Sequence, residues 1–268
     1  MTVIRIPERG VVRISGEGAE TFLQALVTND VVDIPPGRAV YAALLTPQGK
    51  FLHDFFVTPT ADGQALLLET EAARLADLKR RLTIYKLRSR VEIEDVSADW
   101  QVLASAGAIA PVDGALVFDD PRHAGMGQRA LWPTGRDLPD VSDDIDSYHA
   151  RRVALGVPDG SRDIEVEKNF MLEARFEQVN GIDFRKGCYV GQEITARSKY
   201  RGNVRKMLMP CRVDGDLPAP DTVVTVDGKD VGTVRSGAGD HVIAMLRLDR
   251  PDGELLAGDA KLTVASDG

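Results

Sequence analysis

Cysteine is scarce in this chain: Cys188 and Cys211 are the only two among 268 residues. That excludes a disulfide scaffold and any four-cysteine zinc site. Aromatic residues amount to 6%, too few for the stacking platforms of a single-strand nucleic-acid binder. Positive charge is in deficit, with 33 lysines and arginines against 41 aspartates and glutamates, a formal net charge of −8. A broadly basic surface is therefore absent, and direct nucleic-acid binding is not expected. No stretch approaches the roughly 18 uncharged apolar residues of a membrane-spanning helix. The opening MTVIRIPERG has no basic head followed by an apolar run, so neither a membrane span nor a secretory signal is expected. Together these absences give the expectation of a cytoplasmic protein.

What is present is ordinary globular material, 43% hydrophobic and 28% charged, enough at roughly 150 residues per domain for two domains or three small ones. Val11 to Ile14 reads as a strand. Ala19, Phe22, Leu23 and Leu26 follow at the spacing of one helix face. Tyr41 to Leu45 and Phe51 to Val57 read as strands around a Pro47-Gln48-Gly49 turn, and Gln64 to Glu69 as another. Thr70 is placed to cap a helix that turns Leu75, Leu78 and Leu82 inward. Val91 to Val96, Gln101 to Ser105 and Ala115 to Phe118 continue the strand pattern. An acidic, exposed connection from Asp137 to Asp146 leads to a helix from Ser147 to Leu155. Beyond Met207 come five short β-type runs, with Asp227-Gly228 as a two-residue hairpin turn. These point to a small antiparallel barrel or sandwich.

Chemistry concentrates in NGIDFRKGCYVGQEITARSKYRG, Asn180 to Gly202. From Arg185 to Lys206 there are seven cations and one anion, a local charge of +6 in an acidic chain. Such contrast suits an anionic ligand, or else a solvated, salt-bridged helix or loop. Gly187 and Gly191 permit a tight turn and close approach of the backbone to a ligand, without the spacing of a phosphate loop. Arg185 and Lys186 beside Cys188 favour a thiolate there, although an isolated cysteine also serves as a small buried hydrophobe. The four histidines, His53, His123, His149 and His241, are scattered without spacing signals, so no base for a cysteine hydrolase is visible.

KGCYVGQE at Lys186 to Glu193, Ala196-Arg197 and the Tyr200 to Gly202 YRG resemble the signature of the YgfZ branch of the YgfZ/GcvT folate-binding family. FLQALVTNDV (Phe22 to Val31), LLTPQGKFLHDFFV (Leu44 to Val57) and Leu172-Glu173-Ala174 resemble it too, so the likeness runs through most of the chain. The resemblance implies an α+β fold: the three-domain ring of the aminomethyltransferase type, with a split folate-binding domain (1–45 and 120–198), a ferredoxin-like insert (46–119) and a C-terminal antiparallel β-barrel (199–268). It implies tetrahydrofolate or a derivative as cofactor. Glu173 falls where the transferases hold the pterin with a carboxylate; the alternative role for it is a plain helix salt bridge. Asp54 falls where they orient the folate amine, but His53-Asp54 replaces their paired aspartates.

Lys186, Arg197 and Arg201 are then the candidates for the folate tail carboxylates, and Cys188 the candidate reactive thiol. The changed neighbour of Asp54, the extra thiol and the shorter chain all put transferase chemistry in doubt. The function implied is a folate-binding accessory factor for maturation or repair of iron–sulfur proteins, tRNA-thiolating enzymes included. Its partners would be iron–sulfur assembly or client proteins. One thiolate cannot hold a stable cluster alone. The alternatives are a folate-dependent aminomethyl- or methyltransferase and, last, an RNA-binding module.

Overall fold

The computed structural model describes residues 2–202 and 204–265. The chain opens with β1 (Val3–Arg5) and β2 (Arg9–Ser15), then α1 (Ala19–Gln24), the hairpin of β3 (Val40–Leu45) and β4 (Phe51–Pro59), and β5 (Ala65–Glu71). After α2 (Leu75–Lys86) come β6 (Glu92–Asp95), β7 (Trp100–Ser105), β8 (Leu116–Asp119), β9 (Gln128–Pro133) and β10 (Val141–Ser142). The helices α3 (Ile145–Ala154), α4 (Gly160–Asp163) and α5 (Gln192–Arg201) lead to β11 (Lys206–Asp214). The chain closes with β12 (Val223–Val226), β13 (Lys229–Ala238), β14 (His241–Arg247), β15 (Leu255–Ala257) and β16 (Ala260–Val264).

These strands form two five-stranded sheets, ordered β3-β4-β5-β2-β6 and β10-β1-β7-β9-β8, and a closed antiparallel barrel ordered β11-β14-β13-β12-β15-β16. The barrel expected from the short C-terminal runs is thus present, and β11 completes it by pairing with both β14 and β16. Its interior is apolar, built on Val224, Val234, Ala244 and Leu246. Asp227 and Gly228 both have positive φ, at 50° and 75°, as the hairpin turn requires.

Alternation in the first sheet explains its two-sided burial. Leu23, Leu75, Leu78 and Leu82 of the helices pack on Val12, Leu44, Phe55 and Leu68 of one face. The other face turns Val11, Tyr41, Phe56 and Leu67 towards Val102, Phe118 and Leu131 of the second sheet. Phe176 and, from the barrel, Leu208, Ile243 and Met245 join this second core. Every residue of β4 is buried because both its faces are covered.

Several boundaries differ from the sequence reading. Thr70 stays within β5 and its hydroxyl donates to the Asp54 carbonyl at 3.0 Å, so it is not a helix cap; a short 3-10 turn precedes α2. The pattern gave no sign of β1, three residues long, or of β9, whose apolar alternation Arg129 interrupts. Sheet pairing joins Val3–Arg5 to 100–142 and Arg9–Ser15 to 40–95. An insert at 46–119 would therefore cut the β3–β4 hairpin, where Val40 pairs with Val57, and would draw strands from both sheets.

Candidate functional site

The basic motif is not a free loop. Residues 186–190 lie against the C-terminal end of α1, where Val190 N donates to Ala25 O at 3.3 Å. Helix ends leave carbonyls without intrahelical partners, and Lys186 supplies a donor to one of them and to two carbonyls of the segment that follows α1. Its Nζ donates to Gln24 O at 2.9 Å, Val27 O at 2.6 Å and Asn29 O at 2.7 Å. The ammonium has three hydrogens, so its donor capacity is filled. Burial pulls the Lys186 pKa down to about 8, against attraction from Asp30 and Asp183. All three Lys186 donors therefore go to backbone carbonyls at and beyond the end of α1, which differs from the ligand carboxylate expected of this lysine.

Gly191 begins α5 with φ 83°, and a Cβ there would stand 2.6 Å from Thr46 O and 3.0 Å from Gly49 Cα. The neighbour that requires a glycine here is the β3–β4 turn of the chain itself, where a ligand was expected. Gly187 is exposed, without positive φ, and a Cβ would meet nothing within 4 Å, so the freedom expected there is not used. Arg197 and Arg201 lie on the exposed side of α5, Arg197 in an ion pair with Glu193 at 3.0 Å. Lys199 pairs with Glu177 and so ties α5 to the segment after Glu173. Much of the +6 charge is thus held in local pairs and a cap. Cys188 is exposed, whereas Cys211 is buried in the barrel and its thiol is pushed up to about 12 by burial.

Asp54 lies in the core at 2% exposure. Tyr41 OH donates to its Oδ2 at 2.8 Å, and burial raises its pKa. Around it the two sheets bring together an ionic cluster. Arg129 and Arg9 both donate to the Glu69 carboxylate, and Arg122 Nη2 donates to Asp120 Oδ2 at 2.7 Å. The Arg122 and Arg129 guanidinium groups stack 4.7 and 4.4 Å from the Phe56 ring centroid. Burial alone would raise Glu69 and Asp120, but the arginines hold both below the usual carboxylate range. Packing in this way closes Asp54 off from solvent, so a direct contact with folate or another ligand is not available to it. His53 points to the opposite face, at 2.9 Å from Asp77 of α2, and burial lowers it to about 4.

Glu173 has a different setting. Its half-buried carboxylate accepts from Phe170 N at 3.0 Å and Asn169 Nδ2 at 3.4 Å. It lines a cleft of about 710 Å³ with Val204, Arg205, Lys206, Arg247, Leu248 and Asp249, within the usual size of small-molecule sites. Arg247 is paired with Asp249. Arg205 and Lys206 make no side-chain hydrogen bond or ion pair among the described residues. A carboxylate and uncommitted cations therefore share one cleft at the mouth of the barrel. Arg205 and Lys206 close the basic segment in the sequence, which was the available signal for them; nothing marked Arg247. Cys188, Arg197 and Arg201 do not line this cleft. Among the described residues, no group of three or more His, Cys, Asp or Glu is arranged for a metal ion, and no helix is long and apolar enough to cross a membrane.

Residues 3–111 match the GCVT N-terminal domain, and residues 205–267 match the C-terminal beta-barrel domain of CAF17. The chain is 34% identical over 290 residues to the iron–sulfur cluster assembly factor IBA57, mitochondrial, of Mus musculus, covering 95% of this chain and 80% of the relative. The Homo sapiens protein of the same description is 34% identical over 285 residues, covering 94% and 79%. The Pyricularia oryzae homolog is 34% identical over 278 residues, covering 91% and 71%. Among solved structures, the glycine cleavage system aminomethyltransferase T from Bartonella henselae superposes with a TM-score of 0.78 at 14% identity, over 99% of this chain and 85% of that one. The expected α+β aminomethyltransferase fold with a C-terminal barrel is therefore the fold of this chain. The relatives' descriptions name the mitochondrion. This overturns the cytoplasmic location expected from the sequence. A low cysteine content is a feature that one reducing compartment shares with another.

Proposed function

The chain belongs to the family of the iron–sulfur cluster assembly factor IBA57, and from that premise we propose that it supports maturation or repair of iron–sulfur proteins while holding a reduced folate in the Glu173 cleft. The observation that carries the ligand assignment is the placing of Glu173 with Arg205 and Lys206 around one opening. A pterin offers a row of N–H donors to a carboxylate, and two donors on two oxygens give geometric specificity. The tail carboxylates of folate call for cations, and Arg205 and Lys206 are the uncommitted ones. Cys188, exposed and outside this cleft, is proposed as the thiol that meets an iron–sulfur partner, which must bring the remaining ligands. The KGCYVGQE segment supports placement on the YgfZ branch, with tRNA-thiolating enzymes among the clients. Arg197 and Arg201, on the same exposed helix, then belong to the partner-facing surface.

Calorimetric titration with tetrahydrofolate tests the cleft. Saturable binding by the wild type is expected, with a loss of about tenfold or more in Glu173→Gln and Lys206→Ala. Equal affinity in all three proteins would remove the cleft from the proposal. The maturation role is tested by rescue of iron–sulfur enzyme activity in a deletion strain. Cys188→Ala should rescue poorly, and full rescue would take the thiol out of the mechanism. A transferase reading predicts turnover of a folate-linked one-carbon group by the purified protein. Asp54, sealed and bonded to Tyr41, gives that reading little support.

A further inference from the structure

The helix α2 buries one face against the first sheet, through Leu75, Leu78 and Leu82. Its outer side and the turn that leaves it differ in kind. From Lys79 to Arg90 there are six cations and no anion, a second segment of charge +6 in a chain of net charge −8. Arg80 and Arg81 pair with Asp77, and Arg90 pairs with Glu17 at 3.1 Å, both of these last side chains being largely exposed. Lys86 and Arg88 make no side-chain hydrogen bond or ion pair among the described residues. Exposed pairs are weak in water, so the segment keeps a positive field.

Two large aliphatic side chains stand in that field. Ile84 is 61% exposed and Leu87 is 88% exposed, the highest value for a large hydrophobic among the described residues. Leu87 ends α2 with φ 43°. A residue with a Cβ is disfavoured there, and glycine is the usual occupant of such a helix exit. Packing within the chain does not offset this strain, because the leucine lies in water. Lys86 and Arg88 flank it, and Ile84 stands one turn before it. Strain of this kind is held where a residue meets something outside the fold.

We propose that the end of α2 is a docking surface for an acidic protein partner. Ile84 and Leu87 enter an apolar depression on that partner, and Lys86 and Arg88 pair with carboxylates on its rim. An apolar centre within a polar rim is the usual build of a protein interface, and complementary charge fixes its orientation. Nucleic acid fits less well, because Tyr85, the segment's one aromatic residue, is half-buried against the core of the first sheet and offers no stacking platform. A lipid surface also fits less well: an interfacial helix needs a free apolar face, and that of α2 is already covered. None of these residues lines the Glu173 cleft, so this surface stands or falls independently of the folate proposal.

The test uses the full chain in its own cells, with photo-reactive benzoylphenylalanine in place of Ile84. After irradiation, mass spectrometry identifies the captured segment. A protein segment of net negative charge is expected. Its yield should fall about tenfold when Lys86→Glu and Arg88→Glu are combined, and about tenfold in Leu87→Gly. Leu87→Gly relieves the positive φ, so its melting temperature should be no lower than that of the parent chain; a merely structural leucine would show a fall instead. Tetrahydrofolate titration should be unchanged in each variant. Capture of a second copy of this chain, of RNA, of lipid or of a segment without net negative charge overturns the proposal. So does the absence of any capture, or a yield that neither variant alters.

Discussion

Replacing Lys186 by methionine separates a structural lysine from a ligand-binding one. The substitution keeps most of the stem beside the Tyr189 ring, 5.3 Å from the ammonium, and removes only the charge and its three donors. Val27 O is buried and would be left without this partner, at a cost of about 1–3 kcal/mol. Gln24 O and Asn29 O are nearer the surface and can regain water, so each loses about 0.5–1.5 kcal/mol. Release of the buried charge offsets part of this loss, because burial already disfavours the ammonium. A net destabilisation of about 2–3 kcal/mol is expected. In urea, with a slope of about 3 kcal/mol per molar for a chain of this size, the earliest transition should move down by just under about 1 M. Far-ultraviolet circular dichroism reads the transition, and tetrahydrofolate calorimetry at low temperature should show an unchanged affinity. A Lys186→Met protein as stable as the wild type but unable to bind tetrahydrofolate would refute the capping argument and return the lysine to the ligand set.

Gly191→Ala should destabilise by about 2–4 kcal/mol, because φ 83° and the carbonyl of Thr46 leave no room for a Cβ. Gly187→Ala should change stability by less than about 1 kcal/mol, in either direction; equal effects in paired urea titrations would contradict the local geometry. Glu69, Asp120 and Asp159 have pKa values below those of unfolded carboxylates. Their contribution is complete above the unfolded values of 4.5 and 3.8 and is lost as pH falls through the folded ones. Stability should therefore decline steadily below about pH 4.5, with Asp54 opposing the trend, and an acid-insensitive melting temperature would deny the cluster its role. Iodoacetamide at neutral pH should modify Cys188 and spare Cys211, read by intact mass; modification of both in the folded protein would contradict the burial of the barrel thiol.

The chain's local pattern was enough for the elements whose environment is periodic. Leu75, Leu78 and Leu82 lie on one helix face because a helix repeats every 3.6 residues, and they are buried. Asp227-Gly228 turns the β12–β13 hairpin because both residues take positive φ. Both are local properties, set by a few adjacent residues, whereas Glu173 was singled out by family resemblance and not by its local pattern.

Charge partners are not local, and there the tertiary structure decided. Lys186 looks like one cation among seven until the end of α1 is laid against it, about 160 positions away in sequence. Arg9, Glu69, Asp120 and Arg129 carry no shared motif, and only the stacking of two sheets makes them one buried cluster that encloses Asp54. Arg205, Lys206 and Arg247 meet Glu173 because the barrel closes beside its turn. Composition and periodicity dictate which residues leave water, but the partner each buried charge finds depends on which strands and helix ends the fold brings within a few ångströms.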